Sequence, residues 1–308
     1  MLKHLLVPLD GSKMSEAVLA PTAELAAKAG ARVTLLHVIE RGAHATVHGQ
    51  RHLVEPREAE QYLREVAARG FPAGVPVGWH VHRRRIGRVA HSLVRHADQL
   101  QPDLIIMCSH GPVRLRDRVL GNIAQQTIHR QAVPVLLFRS QPGRPCFPFR
   151  NVLVPLDGQT PHEHGLAPAA EMARLCGAGL VLITVVPTAG ELPGEQAASA
   201  TLLPSATRQF LDLRQQQAVE YLRAHVEWLR AVGLDAHGQV ARGAPDRLIQ
   251  EAAEELGVDL IALGTHGKAG TDAFWSGSLT PKLLRRAKTS FLLVPVPDAP
   301  DGSAEAVQ

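Results

Sequence analysis

The 308-residue chain has 45% hydrophobic and 20% charged residues, as ordinary globular proteins do, and its length suits two domains of about 100–200 residues each. Only 4% of the residues are aromatic, which argues against the stacking platforms of single-strand nucleic-acid binders. No apolar run approaches the ~20 residues of a membrane span, and the three cysteines form no CxxC pair. We therefore expect a cytoplasmic protein without a membrane partner, a disulfide framework or a cysteine-based metal site.

The charge is unevenly distributed along the chain. Residues 1–140 carry 19 Lys and Arg against 11 Asp and Glu, whereas residues 151–308 carry 12 against 18. A basic front half is either a solvated basic face or the site of an anionic partner. The run HVHRRR (His80–Arg85) could serve such a partner, but it accompanies no DNA-binding motif, so nucleic acid is not expected.

The chain contains an internal repeat. LLVPLDG at Leu5–Gly11 recurs as VLVPLDG at Val152–Gly158, an offset of 147 residues. Further along, DLIIMCSHG at Asp103–Gly111 recurs as DLIALGTHG at Asp259–Gly267. A period near 150 residues is far longer than a solenoid unit, so each copy is predicted to be a whole domain.

The repeat divides the chain into two copies, residues 1–140 and 151–296. Between them, QPGRPCFPFR at 141–150 has three prolines and a glycine, which predicts a stiff, non-helical linker. The tail, residues 297–308, has the composition of a disordered segment.

In both copies, strand-like apolar runs alternate with helix-like stretches in chain order. The first copy is predicted to run through strand Leu2–Pro8, helix Ser15–Ala29, strand Arg32–Ile39, helix Pro56–Arg69, strand Val75–Val81, helix Val89–Leu100, strand Asp103–Met107, helix Ile123–Arg130 and strand Val133–Phe138. The second is predicted to run through strand Asn151–Pro155, helix His162–Cys176, strand Leu180–Val186, helix Thr207–Val232, strand Ala236–Val240, helix Pro245–Leu256, strand Asp259–Leu263, helix Leu279–Arg286 and strand Ser290–Val294. Such alternation predicts an α/β fold with a parallel sheet that is buried on both faces. Pro21 and Pro168 should kink the first helix of each copy or delay its start.

A glycine-rich loop follows the fourth strand of the second copy. It reads GTHGKAGTDAFWSGS, Gly264–Ser278, with the spacing G-x2-G-x9-G-S. Glycines allow close backbone approach to a ligand, and the N–H groups of Gly277, Ser278 and Leu279 open a helix whose dipole favours an anion. These features predict a phosphate cradle. The spacing matches neither a P-loop nor the G-x-G-x-x-G dinucleotide fingerprint.

With its repeated VPLDG, this spaced glycine motif and the run RGAPDRLIQEAAEELGVDLIALGTHGKAG, the chain resembles the universal stress protein family, twice over. The resemblance implies that each copy is a doubly wound, Rossmann-like domain with five parallel strands in the order 3-2-1-4-5. It also implies that fifth strands pair about a two-fold axis, which would make the tandem chain a pseudo-dimer. Whether that unit pairs again into a homodimer is left open.

The resemblance further implies an ATP site in the second copy. We expect Mg²⁺ or Mn²⁺ to bridge the phosphates of the bound ATP. Asp157 would contact the nucleoside, Val185 would line the adenine pocket, and the phosphates would be held by Gly264, Gly267, Gly277 and Ser278. The adjoining positions complete the expected site: Pro155, Leu156, Leu263, Thr265, His266 and Leu279. From the residues alone, Asp157 is a carboxylate at the end of a central strand, which either accepts hydrogen bonds from a ligand or caps the following turn.

The first copy departs from this pattern. Its loop reads CSHGPVRLRDRVLGN, so Cys108 and Asn122 replace the first glycine and the final serine of the motif. We expect Cys108 to hinder the approach of a ligand, which leaves a weaker site built from Asp10, Val38, Gly111, Gly121 and Asn122. Three further side chains in the loop either grip phosphates or form a basic surface: Arg114, Arg116 and Arg118.

Metal and catalytic signals are weak. His44, His48 and His52 have the spacing of a metal site on a helix, but Gly42 and Gly49 argue against a helix there, so no metal site is expected. His110 and His266 in the two loops could activate water, contact phosphate or be exposed, and Asp272 is the nearest candidate base. No Ser-His-Asp or Cys-His constellation is readable, so no catalytic residue is assigned.

These features favour an ATP-binding protein with a regulatory or protective role in a stress response, and with slow or no hydrolysis. One alternative is a slow ATP hydrolase or nucleotidyl transferase on the same scaffold. The other is a module that binds a different ligand or a partner independently of nucleotide.

Overall fold

The computed structural model describes residues 1–44, 46–47, 49–109, 126–127, 133–139, 147–158, 160–192, 194–266, 279–286 and 288–296. The greater part of both glycine loops, most of the predicted helix Ile123–Arg130, the segment 140–146 and the tail from residue 297 lie outside these ranges.

The first half is built from strands and helices in alternation. Its elements are β1 His4–Pro8, α1 Lys13–Glu16, α2 Leu19–Ala29, β2 Arg32–Glu40, β3 Thr46–Val47, β4 Gln50–Arg51, α3 Pro56–Gly70, β5 Val77–Ile86, α4 Val89–Leu100, β6 Leu104–Cys108 and β7 Val135–Phe138.

The second half repeats this order with longer helical connections. Its elements are β8 Asn151–Pro155, a 3₁₀ segment Thr160–Gly165, α5 Leu166–Cys176, β9 Gly179–Val186, a 3₁₀ turn Ala189–Glu191, α6 Gly194–Leu202, α7 Pro204–Ala231, β10 Ala236–Arg242, α8 Pro245–Glu255, β11 Leu260–His266, α9 Leu279–Arg286 and β12 Ser290–Val296.

Ten strands form one continuous sheet in the order β10-β9-β8-β11-β12-β7-β6-β1-β2-β5. Within each half all neighbours are parallel and follow the order 3-2-1-4-5. The two fifth strands, β7 and β12, pair antiparallel and join the halves. The predicted fold class and the pseudo-dimer are therefore confirmed.

The central strands are buried on both faces, as parallel strands between helical layers must be. In β1, Leu5, Leu6 and Val7 are all 0% exposed, and their side chains belong to two separate apolar layers. The layer that contains Leu5 continues from the first half into the second through Phe138 and Val152, so the two halves share a core.

An aromatic cluster marks the junction of the halves. Phe138 ends β7, and its ring centroid lies 6.3 Å from that of Phe147 and 5.7 Å from that of Phe149. All three rings are buried. In a chain with only seven phenylalanines, this cluster fixes where the connection meets the sheet.

The first main helix of each half starts late, as the prolines predict. Pro21 and Pro168 are the third residues of α2 and α5, within the first turn, where a backbone N–H needs no partner inside the helix. In the first half the chain before α2 forms the separate short helix α1, whose N-cap Ser12 accepts a hydrogen bond from the Ser15 N–H.

Candidate functional site

The carboxyl ends of β8 and β11 meet at the point where the order of the second half reverses. These strands are hydrogen-bonded neighbours, while the next strand in the chain after β8 lies on the opposite side of it. In doubly wound sheets this switch point is where ligands bind. The predicted residues Leu156 and Leu263 lie on the two sides of it, both buried at 4% exposure.

Asp157 follows the buried Leu156 and is exposed to solvent. The Leu156 N–H donates to the Ile183 carbonyl at 2.8 Å, which holds the end of β8 against β9. Asp157 and Gly158 follow and are both exposed. Gly158 has φ +80°, and a Cβ placed on it would meet nothing within 4 Å. Asp157 therefore lies, exposed, just after the carboxyl end of β8.

Gly264 lies directly under the 3₁₀ segment that follows β8. A Cβ placed on Gly165 would come within 3.1 Å of the Gly264 nitrogen and 3.3 Å of the Leu263 carbonyl carbon. The repeat aligns this pair with Val18 and Cys108 of the first half, which both carry side chains. Close packing of the two backbones therefore gives a reason for glycine at position 165.

Two other predicted positions of the second half lie in the strands next to the switch point, Thr265 in β11 and Val185 in β9. Thr265 is buried, and its hydroxyl donates to the Val294 carbonyl at 3.3 Å, which ties β11 to β12. Val185 is half-buried and packs on the apolar layer below it. The hydroxyl of its neighbour Thr184 is buried with no hydrogen-bond partner among the described residues.

Some predicted residues lie at or beyond the edge of the described structure. Pro155 ends β8, His266 is the last residue of β11 and Leu279 is the first of α9. The loop residues lie outside the described ranges: Gly111, Gly121, Asn122, Gly267, Gly277 and Ser278, together with His110 and Asp272.

Sequence reasoning missed an acid–tyrosine contact beside Asp157. The Tyr221 hydroxyl in α7 donates to Glu163 Oε1 at 2.8 Å, and His225 Nε2 lies 3.7 Å from the same oxygen. Burial, with Glu163 and Asp157 nearby, raises the pKa of Tyr221 well above its usual range. The tyrosine therefore remains a neutral hydrogen-bond donor beside the two carboxylates.

The first half has a related arrangement. The repeat offset of 147 aligns Glu16 with Glu163 and Asp10 with Asp157. Burial is the main cause that raises the pKa of Tyr62, and Glu16 and Asp10 raise it further. Glu16 also pairs with Arg69 at 2.6 Å. The Tyr62 hydroxyl, unlike that of Tyr221, is buried with no hydrogen-bond partner among the described residues. A glutamate at the same offset, with a tyrosine on the second long helix, is the sequence signal that could have revealed the Tyr221–Glu163 contact.

Asp10 and Cys108 have structural roles in the first half. Asp10 Oδ1 accepts a hydrogen bond from the Ser12 N–H at 2.9 Å, which is the turn-capping role left open for this position of the repeat. Cys108 packs against the same apolar layer as Leu5, and its thiol donates to the Ser109 carbonyl at 3.3 Å. Val38 is buried at 7% exposure.

The weaker signals have mostly local explanations. His44 is exposed, whereas His52 is buried, and among the described residues no group of three or more His, Cys, Asp or Glu side chains is placed to hold a metal ion. The run His80–Arg85 lies in the edge strand β5, where Arg83 pairs with Glu60 at 3.3 Å and Arg85 with Glu55 at 2.7 Å. Within the described ranges no helix is long and apolar enough to cross a bilayer.

Comparison with known proteins agrees with the fold. The universal stress protein family profile matches residues 1–139 and again 148–295. A universal stress protein of Mycolicibacterium smegmatis is 23% identical over 303 residues, 94% of this chain and 96% of that protein. Universal stress protein A homolog 1 of Coxiella burnetii is 30% identical over 137 residues, 44% of this chain and 94% of its own length. The crystal structure of a universal stress protein from Archaeoglobus fulgidus matches with a TM-score of 0.69 and 21% identity, covering 96% of this chain and 97% of that one.

Two doubly wound α/β halves joined through their fifth strands define a tandem pseudo-dimer. Both halves match the same family profile, and the match takes in most of the chain. The chain belongs to the universal stress protein family, as its resemblance predicts.

Proposed function

We propose that the second half binds ATP and that the protein acts in the cytoplasm as a nucleotide-dependent regulatory or protective protein. The observation that carries this proposal is the placement of Asp157 and Gly264. They lie at the carboxyl ends of β8 and β11, on the two sides of the switch point, and Asp157 is exposed. Helix α9 begins at Leu279, directly after the glycine loop in the sequence. The N–H groups of its first turn have no partner inside the helix and can bind a phosphate.

The described residues fit a nucleoside at this position. Asp157 offers acceptors for a ribose hydroxyl or an adenine amino group, and Val185 offers an apolar wall. Mg²⁺ or Mn²⁺ would be held mainly by the phosphates, because such ions take oxygen ligands from the triphosphate and water.

The two halves are proposed to differ in use. Residues 151–296 would carry the intact site, and residues 1–140 the weaker one, with 141–150 as the linker. Because no Ser-His-Asp or Cys-His constellation is readable in the sequence, binding is proposed without rapid turnover.

Two measurements test this proposal. Mass spectrometry of the purified protein under non-denaturing conditions should find an adenine nucleotide, and calorimetry with MgATP should give about one tight site per chain. Turnover of labelled ATP at rates typical of enzymes would favour the hydrolase or transferase alternative. A different co-purifying ligand, with no ATP binding, would favour the nucleotide-independent alternative.

A further inference from the structure

The outer side of helix α7 carries a row of exposed apolar side chains. The four large ones are between 50% and 63% exposed: Leu203, Phe210, Leu213 and Trp228. At 3.6 residues per turn, these positions lie within about 80° of one another around the helix. Three exposed alanines fall in the same sector: Ala206, Ala224 and Ala231. We call these seven residues the apolar stripe.

The apolar stripe is distinct from the face of α7 that packs on the sheet. Leu211, Leu222 and Leu229 are buried, and they lie about 130° around the helix from the stripe. A Cβ placed on Gly238 of β10 would lie 3.4 Å from Leu222 Cβ, so this face rests directly on the strand. A surface helix normally has one apolar face toward its core and a polar face toward solvent. Helix α7 therefore has a second apolar face that the described residues do not bury.

The first half shows what the same face looks like on an ordinary surface helix. Buried Leu63 of α3 aligns with buried Leu222 of α7. On this alignment the place of Trp228 is taken by Arg69, which pairs with Glu16 at 2.6 Å. Helix α7 also has about three more turns at its N-terminal end, and these carry the other large residues of the stripe. The fold of one half therefore does not require the stripe.

The stripe is complementary to itself when two copies of α7 run antiparallel. Gln217 lies in the middle of it and is exposed. Residues that are equally far from Gln217 on two such helices reach the same height along the pair. Three of the four large side chains then meet an alanine, which is how packed helix layers interdigitate. The facing pairs are Leu203 with Ala231, Phe210 with Ala224, Trp228 with Ala206, and Leu213 with the half-buried Tyr221.

The size and charge of this surface favour a second copy over other occupants. The stripe presents roughly 600 Å² of apolar surface per chain, against about 800 Å² per partner in a standard interface. Helix α7 carries four arginines and three acidic residues, whereas helices that lie on membranes are rich in Lys and Arg on their polar face. The tail of the chain, residues 297–308, has Val307 as its one large apolar residue and is a poor match for the stripe.

We propose that two copies of the chain associate through the apolar stripe, with their α7 helices antiparallel and a two-fold axis at Gln217. The contact is isologous, so one pair occupies both stripes and the assembly ends at a dimer. Its area is at the low end for specific complexes, which predicts a dissociation constant on the order of micromolar. Because α7 packs on β10, the edge strand of the second half, the two second halves lie together at the centre of the dimer.

Sedimentation velocity of the full chain, at a series of concentrations across the micromolar range, tests the contact. The full chain is used because β7 covers β12 in it, so pairing through that edge does not contribute. The wild type should show a monomer–dimer equilibrium. Phe210→Glu should raise the dissociation constant at least about 100-fold, because it places a charge without a partner inside the contact.

Val219→Glu is the matched control for this variant. Val219 lies on the same helix and is 50% exposed, as Phe210 is, but it falls outside the stripe. This variant should dimerise as the wild type does. Trp228→Glu, toward the other end of the stripe, should weaken the dimer as Phe210→Glu does, and circular dichroism should show that all three variants keep the helix content of the wild type.

Disulfide crosslinking tests the direction of the helices. With copper phenanthroline as the oxidant, Gln217→Cys should crosslink two chains, because the two-fold axis brings this position next to its copy. Ala224→Cys should not, because antiparallel helices hold the two copies of this position about 21 Å apart, whereas parallel helices would bring them together. The wild type, in which Cys108 and Cys176 are partly buried, measures the background.

Each outcome supports the dimer or overturns it. A wild type that stays monomeric overturns the proposal, as does a dimer that neither Phe210→Glu nor Trp228→Glu weakens. If Val219→Glu weakens the dimer as strongly as Phe210→Glu, the stripe is not the contact. A crosslink in Ala224→Cys, or none in Gln217→Cys, overturns the antiparallel arrangement. These measurements contain no nucleotide, so they leave the proposed ATP site to its own tests.

Discussion

Leu292 of β12 lies directly opposite Leu136 of β7, at the centre of the antiparallel ladder that joins the two halves. Their exposed fractions are 1% and 0%, so the pair is as deeply buried as the middle of either parallel sheet. The ladder has only three residue pairs, and Phe291 and Leu293 of β12 flank the central one. Side-chain packing, more than backbone pairing, therefore joins the halves.

The second half expressed alone, as residues 148–308, should not remain a monomer. Without β7, the apolar strand β12 becomes an open edge, and such edges pair with other chains. Light scattering should show a dimer or aggregates, whereas the full chain exposes neither fifth strand. A soluble, well-folded monomer would show that the edges do not need each other.

The close packing of Gly165 on Gly264 predicts a sensitive position. Gly165→Ala should lower the free energy of unfolding by roughly 1–3 kcal/mol, because the new Cβ meets backbone atoms that cannot move aside cheaply. It should also weaken ATP binding by displacing the start of the glycine loop. Chemical denaturation and calorimetry check the two effects.

Gly190→Ala is the matched control for this substitution. Gly190 lies in the 3₁₀ turn Ala189–Glu191, and a Cβ there would meet nothing within 4 Å. Equal stability of the two variants would mean that the Gly165–Gly264 approach is not tight in solution.

The main sheet was predictable because its signals are local and repeated. Each of the ten strands of that sheet lies where an apolar run predicts it, and the duplicated VPLDG identifies the central strand of each half. Strand β5 is longer than predicted and continues through His80–Arg85 to Ile86. Apolar patterning fails there because β5 is an edge strand, and its arginines pair with glutamates near α3 instead of packing in a core.

The contacts around the site were not predictable from the sequence. They join segments that are separated by different numbers of residues in the two halves, so the repeat does not align them. The two-residue strands β3 and β4 are too short to show an alternating pattern, so they had no sequence signal. Tyr221 meets Glu163 from a helix of 28 residues, longer than the matching helix of the first half, which obscures its correspondence with Tyr62. Only the positions next to VPLDG and the glycine motif could be assigned from sequence.

Gly277→Val should abolish ATP binding and leave the fold intact. The glycine is predicted to lie where the start of α9 meets the phosphates, and a side chain there would block close approach. Calorimetry should show no tight site, while circular dichroism and the melting temperature stay near those of the wild type. Normal binding by this variant would mean that the loop is only a connection.

Asp157→Ala and Asp10→Ala should have opposite profiles. Asp157→Ala should weaken ATP binding about 10–100-fold, because a charged acceptor at the open site is lost. Asp10→Ala should leave ATP affinity unchanged and lower the free energy of unfolding by about 1 kcal/mol, since this carboxylate caps the Ser12 N–H. Calorimetry and denaturant unfolding separate the two effects, and an equal loss of affinity in both variants would contradict the assignment of the site to the second half.

A buried histidine in the first half should make stability fall in acid. His96 in α4 is 7% exposed, and its Nε2 lies 2.9 Å from His82 Nδ1. Burial, with His80, His82 and Arg95 nearby, lowers the pKa of His96 to about 4. In the unfolded chain it titrates near 6.5, so the unfolded state takes up the proton first as the pH falls. The stability that comes from keeping His96 neutral is therefore complete above pH 6.5 and is lost progressively toward pH 4.

Urea unfolding at a series of pH values between 7 and 4 measures this loss. From this residue, the free energy of unfolding should decrease by roughly 1–3 kcal/mol over that range. His96→Gln should flatten the pH dependence by that amount, because the amide does not titrate and can still hydrogen-bond to His82. His91→Gln replaces an exposed histidine on the same helix and should leave the slope as it is in the wild type. If His96→Gln and the wild type lose the same stability as the pH falls, the acid sensitivity arises from other groups. Protonation of His96 would then cost the folded protein no free energy.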